Sequence, residues 1–325
     1  MTPIKLYMLV FPVFVALIAA EAAYYRFVLH REYGWQATLS NVFVAVGRLV
    51  TEGALAAIVL AVYYAAYALR PFTIPMDRWE SWVVLFFAVD FAYYWLHRMS
   101  HEIRWMWAQH AVHHSAQQIT LSVAYRLGWT NLIAGPWLFL IPVCWIGFHP
   151  LSVGLMFAAN LIYQFWLHTE TVPRLGMFEK VFNTPSHHRV HHAVNPEYLD
   201  RNYGGVLILW DKLFGTFAGE RAGTVMRYGL VSQIDTLNPF KIVFSEWVSL
   251  FRDLRSARNG HDALAYAFGK PGWKPAPGKN ETSAKPITPS SRVENVEAST
   301  RLTGDDPAGG ARGRCVQRPV PAPAT

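Results

Sequence analysis

Charged residues are scarce in this 325-residue chain: Asp, Glu, Lys and Arg make up 16%, against 52% hydrophobic residues. Soluble domains carry about 25% charged residues, so an ordinary cytosolic globule is excluded. Cysteine is scarcer still. Cys144, inside an apolar run, and Cys315, near the C-terminus, cannot build a disulfide framework and leave the redox compartment open. No GxGxxG fingerprint for a flavin or nicotinamide occurs, nor a haem-attachment sequence, nor an internal repeat. The zinc-peptidase spacing is also missing, because His101-Glu102 is followed by Ile103, Arg104 and Trp105 with no second His in register. The net charge of +7 does not form a basic patch. From Lys270 onward nine Lys/Arg stand against five Asp/Glu, so more than half of the excess sits in the tail and no nucleic-acid partner is expected.

What the chain does have is apolar length. Five stretches stand out: Ile4–Val28, Leu49–Leu69, Trp82–Leu96, Leu132–Phe148 and Leu151–Leu167. A membrane-crossing helix needs about 20 apolar residues, which the first two satisfy outright. The last two flank His149-Pro150, which reads as the tight turn of a membrane hairpin. The first resembles a signal peptide up to Ala20-Glu21-Ala22, but apolar residues continue past that point, so an uncleaved anchor is expected. The expected fold is all-α and integral to the membrane, with about five membrane-embedded helices. Arg26, Arg31 and Arg48 in the first connection against Arg70 and Arg78 in the second put the first connection, the segment His97–Asn131 and everything after His168 on the inner, cytosolic side.

Downstream the pattern becomes amphipathic. Asn238-Pro239 is a helix start, and Phe240, Val243, Phe244, Trp247, Phe251 and Leu254 fall on one face of the helix that follows. That face suits either the membrane surface or the protein's own inner domain. From Lys270 on, 15 of 56 residues are Pro or Gly and Trp273 is the only aromatic, a composition that cannot bury a core. The organisation read from the chain is therefore 1–79, N-terminal membrane helices; 80–220, a histidine-rich domain; 221–269, the amphipathic region; and 270–325, a disordered tail. Trp210, Phe214 and Phe217 fit an interfacial belt or a substrate channel, and Asp200, Asn202, Gly204 and Gly205 a turn.

Ten of the thirteen histidines occupy four places: His97 and His101; His110, His113 and His114; His168; and His187, His188, His191 and His192. Each place lies at or just past the inner end of an apolar span, or in the inner segment. His97 and His101 share a helix face at i, i+4, with Asp90 and Tyr94 on the same stripe. His110, His113 and His114 point into one sector, and His188, His191 and His192 repeat that spacing after the helix start Thr184-Pro185. Asn160, Gln164 and His168 line one face of the fifth span, where polar groups are costly unless they face a protein interior. Imidazole suits Zn, Fe, Cu and Ni. Eight or nine of them exceed what one ion can use, so two metals are implied. Carboxylates are scarce near the histidines, unlike in the soluble di-iron bundles built on Glu and Glu-x-x-His.

These residues resemble the membrane fatty acid hydroxylase/sterol desaturase superfamily, closest to its alkylglycerol monooxygenase branch. The family's three boxes read here as His97-Arg98-Met99-Ser100-His101, His110-Ala111-Val112-His113-His114 and His188-Arg189-Val190-His191-His192. The stretches DFAYYWLHRMSHE, WAQHAVHHS, QFWLHTE, NTPSHHRVHHAVNP and NYGGVLILWDKLFGTF carry the resemblance, from about Trp82 to Phe217. It implies a catalytic domain over 80–220 with a di-iron centre at the cytosolic membrane face, oxidising a lipid C–H bond with O2. Such a bond belongs to a sterol, a fatty acyl chain or an alkylglycerol ether. The eight box histidines would be iron ligands, with His168 a ninth. His187, Asp90, Asn160, Tyr94 and Gln164 would lie one bond further out, since metal-bound imidazoles need a partner on their other nitrogen. Electrons would come from outside, through tetrahydrobiopterin or an electron-donor protein. Hydroxylation, desaturation and ether cleavage all remain open. Two readings from other classes compete: a zinc-dependent membrane hydrolase, which needs no O2, and a non-enzymatic metal transporter or bis-histidine haem protein.

Overall fold

The computed structural model describes residues 2–276. Among them there is no β-strand, only two isolated bridges, Phe182 with Leu207 and Ala193 with Tyr228. The first helix, α1 (Pro3–Phe27), starts where the Thr2 side chain accepts the Lys5 amide and Pro3 takes the first turn. A link of residues 28–34 leads into α2 (Trp35–Ala68), 34 residues long. At 1.5 Å per residue the two helices extend about 37 and 51 Å, more than the ~30 Å hydrocarbon core of a bilayer. They are the two helices among the described residues that are long and apolar enough to cross a membrane. Their flanks leave Ile4, Met8, Phe11, Leu39, Leu49 and Val50 exposed.

The first connection is shorter than the sequence suggested. Nothing breaks the helix between Trp35 and Leu69, so Arg48 lies within α2, paired with Glu52 at 2.7 Å, and drops out of the loop charges used to argue orientation.

α3 (Trp79–Glu102) ends at Ile103, a single extended residue from which α4 (Arg104–His114) departs. That one-residue break folds the end of α3 against α4. A 3-10 turn over Leu121–Tyr125, α5 (Asn131–Ala134), a second 3-10 turn over Pro136–Leu140 and α6 (Ile141–Ile146) follow. The expected apolar arm Leu132–Phe148 is thus three short pieces. Gly135 (φ 85°) ends α5, and Pro136 and Pro142 each lack the N–H a continuous helix needs. Gly147 (φ 131°) packs so tightly that a Cβ there would stand 2.4 Å from the Phe72 carbonyl. The His149-Pro150 turn forms as expected, with His149 capping α7 (Pro150–Phe165) through its ring nitrogen. A core of Tyr63, Leu85, Val89, Leu140, Cys144, Phe148 and Val153 locks α2, α3, α6 and α7 together.

The chain continues with α8 (Pro185–His192), α9 (Leu209–Leu213), α10 (Pro239–Arg255) and α11 (Gly260–Phe268). α10 begins as read, with Asn238 accepting from the Phe240 and Lys241 amides. Its expected apolar stripe divides. Val243 and Trp247, with Ile242 and Leu250, are buried against Val44, Ala108 and Val112, while Phe240, Phe244 and Phe251 stay exposed. Beyond α11 the chain remains seated, with Lys274 on Asp253 at 2.7 Å and the Trp273 ring against Tyr266. The tail expected to be disordered from residue 270 falls, from 277 onward, outside the described residues.

Candidate metal centre

All nine histidines expected as ligands meet at the C-terminal end of α3. They sort into two groups: His97, His101, His110, His114 and His191; and His113, His168, His188 and His192. Within each group one ring nitrogen per residue lies within 4.8 Å of all the others. Four segments supply them. α3 brings the first pair, α4 the triplet, the end of α7 brings His168, and α8 the last three. The HxxHH spacing splits each triplet between the groups: His110 and His114 face one way and His113 the other, while His188 and His192 stay together and His191 crosses over.

The Nε2 atoms nearly touch. They are 3.1 Å apart for His97 and His110, 3.2 Å for His110 and His114, and 3.1 Å for His113 and His168. His168 and His188 are separated by 2.9 Å, and His188 and His192 by 3.0 Å. The tautomer follows for three rings. Nδ1 of His97 lies 2.8 Å from the Tyr203 carbonyl, that of His168 2.9 Å from the Gln164 carbonyl, and that of His191 2.9 Å from the Arg201 carbonyl. A carbonyl cannot donate, so each Nδ1 carries the hydrogen and each Nε2 turns a bare lone pair inward. Nε2 of His101 and of His191 are buried with no hydrogen-bond partner. Burial, added to by neighbouring imidazoles, pushes the pKa values of His110, His113, His114, His188, His191 and His192 well below 6.5, so the rings are neutral.

Three lone pairs fixed inward, within a cluster of neutral rings that can each turn a nitrogen the same way, are what a cation needs. With metal–nitrogen bonds of about 2.1 Å, adjacent nitrogens of an octahedron lie about 3.0 Å apart and those of a tetrahedron about 3.4 Å. Neighbouring nitrogens 2.9–3.2 Å apart are close enough to share one ion, and the groups offer five and four donors. The donor set therefore fits two metal ions.

The residues expected one bond further out behave differently. Asp90 touches no imidazole. Its Oδ1 accepts from the Asn160 amide at 2.7 Å and the Val206 N–H at 2.8 Å, and its Oδ2 from the Leu207 N–H at 3.1 Å and the Trp210 indole at 2.9 Å. Asn160 passes the chain on to Gln164, whose side-chain oxygen accepts from Tyr93. Gln164 does reach His168, but through its backbone carbonyl rather than its side chain. The Tyr94 hydroxyl meets Thr216 at 3.0 Å. His187 turns away from both groups into a small cavity of about 210 Å³ with Glu179, Lys212, Phe217 and Glu220. None of these side chains hydrogen-bonds to a clustered imidazole in the described residues; Asp90, Asn160, Gln164 and Tyr94 bond instead to the turn and helices around them. Trp210 joins them through Asp90, and Phe214 stacks on Tyr94.

The turn after α8 carries what the sequence reading missed, the carbonyls of Arg201 and Tyr203. Asp200 (φ 58°) and Asn202 (φ 59°) adopt left-handed conformations there, which Asp and Asn tolerate. Gly205 lies so close to α7 and α3 that a Cβ would meet Asn160 Oδ1 at 2.7 Å and the Tyr93 ring at 2.8 Å. The only signal in the sequence was the turn itself. Another missed group is Glu21 in α1. Its carboxylate accepts from the Tyr33 hydroxyl, the Leu121 N–H and the Thr169 hydroxyl, tying the first helix to the residue that follows His168.

Residues 82–216 match the family model described as fatty acid hydroxylase. Over that stretch the chain is similar to a fatty acid hydroxylase domain. It spans α3 to the end of the turn after α9 and contains all nine clustered imidazoles. Alkylglycerol monooxygenase of Homo sapiens is 42% identical over 207 residues, covering 63% of this chain and 45% of that protein. An ornithine lipid hydroxylase of Rhizobium tropici is 33% identical over 43% of this chain and 44% of its own length. A cholesterol 25-hydroxylase-like protein of Danio rerio is 30% identical over 40% of this chain and 53% of its own. The aligned part of the chain thus spans about half the length of these relatives. No solved structure matches.

Proposed function

We propose that this protein is a membrane-embedded, O2-dependent oxidase that hydroxylates a C–H bond of a lipid at a di-iron centre. The observation that carries the reading is the pair of adjoining all-imidazole groups within a stretch similar to a fatty acid hydroxylase domain. His97, His101, His110, His114 and His191 would hold one ion, and His113, His168, His188 and His192 the other. When bound, two irons supply redox equivalents and a site for O2. The overall change is R–H + O2 + 2e⁻ + 2H⁺ → R–OH + H2O, the two electrons coming from an external donor, a reduced pterin such as tetrahydrobiopterin or a reductase protein.

The chain's own part is positional. The Tyr203, Gln164 and Arg201 carbonyls fix ring orientation, burial excludes bulk water, and the neutral rings keep their lone pairs free at neutral pH. α1 and α2 anchor the domain in the bilayer, the exposed Phe240, Phe244 and Phe251 of α10 rest at its surface, and the centre lies on the cytosolic side. The relatives' names agree on a lipid and differ in which one. The 42% identity to an alkylglycerol monooxygenase favours an ether lipid. Hydroxylation beside an ether oxygen gives a hemiacetal that collapses to aldehyde and alcohol. Loss of a second hydrogen would instead make the same centre a desaturase.

The competing zinc hydrolase would need only one ion with an open position. Two adjoining groups, one of them with five donors, favour a two-metal redox centre over it. The deciding experiment measures iron and zinc per detergent-purified chain, then O2 uptake with an alkylglycerol and reductant after anaerobic loading with ferrous iron. About two irons and lipid-dependent O2 uptake are expected. Lipid turnover without O2 consumption would overturn the proposal.

A further inference from the structure

The Asp211 carboxylate is fully buried, and among the described residues no Lys or Arg forms an ion pair with it, Arg98 acting only from further away. It lies at the start of α9, well away from every box histidine in sequence. Its Oδ1 accepts from the Tyr203 N–H at 2.7 Å and from the Thr216 hydroxyl at 2.6 Å, and its Oδ2 accepts from the Gly204 N–H at 2.7 Å. The last bond is the informative one. The Gly204 N–H and the Tyr203 carbonyl are the two ends of one peptide unit, and that carbonyl receives Nδ1–H of His97 at 2.8 Å. Carboxylate, peptide and imidazole therefore form one chain of hydrogen bonds ending on a ring whose other nitrogen faces the centre.

The backbone of the same segment stands behind a second ring. The Arg201 carbonyl that receives His191 Nδ1–H belongs to the peptide whose N–H, on Asn202, donates to the Thr216 carbonyl at 3.1 Å. The N–H at the other end of that Thr216–Phe217 peptide donates to the backbone carbonyl of Asp211 at 3.2 Å, so this second path runs through main chain and not through the carboxylate. His97 and His191 are both members of the five-imidazole group, and no member of the other group hydrogen-bonds to this turn. A Cβ at Gly204 would come 2.9 Å from Asp211 Oδ2, so the close approach of peptide to carboxylate is built into the sequence.

We propose that Asp211 is a positioning residue for the five-imidazole group, polarising the Tyr203–Gly204 peptide so that His97 is held and made more basic toward a metal ion. A carboxylate commonly binds the far nitrogen of a metal-ligating histidine directly; here one peptide unit stands between them. Hydrogen bonds in series strengthen one another, and the neutral ligand set leaves the positive charge of two metal ions to be balanced from outside it. This inference rests on the metal-binding reading of the two groups.

The test is anaerobic titration of the purified, metal-free full chain with Co2+ alone, followed by its visible absorption bands. Wild type is expected to take two ions. Asp211→Asn removes the charge and presents an NH2 to one of its N–H donors. It should weaken one of the two sites by about 10- to 100-fold and leave the other at the wild-type affinity. Thr216→Val keeps the carboxylate but strips one of its supports, and should weaken the same site by a smaller factor. The double variant Asp211→Asn with His110→Ala should show no additional loss at the remaining site. Two ions bound by Asp211→Asn as tightly as by wild type would overturn the role of Asp211. Equal weakening of both sites would reduce Asp211 to a general structural residue and overturn it too. Should Asp211→Asn fail to fold, an unchanged titration of Thr216→Val would overturn it. A wild type that binds no metal would instead defeat the underlying metal reading, so the two failures are distinguishable.

Discussion

His97 and His110 face each other with their Nε2 atoms 3.1 Å apart, although they lie on two helices separated by the single break at Ile103. His113, one helical turn further along α4, turns instead to His168 at the end of α7. The two groups are thus separable by mutation.

Removing His110 or His113 should each cost a different ion. His110→Ala is expected to leave the group of His113, His168, His188 and His192 complete, and His113→Ala to leave the other group with all five members. Each variant should bind about one iron per chain and lose lipid oxidation by at least about 100-fold, more than loss of an outer partner costs. Metal analysis beside O2 uptake checks this. Two irons retained in either variant would remove that histidine from the ligand set.

Acidification should destabilise the metal-free protein. The folded-state pKa values of His113, His114, His188, His191 and His192 lie well below 6.5 because the rings are buried. The unfolded chain therefore binds more protons as pH falls below about 6.5, and each such group removes about 1.4 kcal/mol of stability per pH unit until its folded pKa is reached. Above about pH 7 both states are neutral and these groups add no slope. Thermal unfolding of metal-free protein between pH 5 and 8 should show a plateau above 7 and a steep fall below 6.5. A flat profile would contradict the neutral, buried state of the rings.

Asp90→Asn should destabilise the domain without removing a ligand. All four hydrogen bonds to the carboxylate come from donors, so an amide NH2 must face two of them. Leaving a buried donor unsatisfied costs about 1–3 kcal/mol. A lower Tm with two metals still bound at saturating concentration is the expected result. An unchanged Tm would show that the turn at Val206–Leu207 is held by other means.

Gly205→Ala and Gly53→Ala should move stability in opposite directions. At Gly205 the new methyl meets Asn160 and Tyr93 below 3 Å, an overpacking worth about 1–3 kcal/mol of destabilisation. At Gly53, inside α2, it meets nothing within 4 Å, and the gain in helix propensity is about 0.5–1 kcal/mol. Paired melting curves in the same detergent test both. A neutral Gly205→Ala would mean that the turn can retreat from α7.

The sequence by itself determined that nine imidazoles were available, and in three helical spacings plus one. Position i, i+3, i+4 on a helix is a matter of 3.6-residue geometry, so HxxHH fixes the sector each ring points into before any tertiary contact forms. It also determined the two long apolar helices and the start of α10, since composition, length and an Asn-Pro cap are local properties. Tertiary structure decided which partners each ring meets, with His191 crossing from its neighbours His188 and His192 to the group of His97. It decided too that the arm around Gly135 and Pro136 is broken rather than spanning. The outer partners were invisible for a physical reason. They are mostly backbone carbonyls of a left-handed turn, held by the buried carboxylates Asp90 and Asp211, and a carbonyl has no residue type by which a sequence could announce it.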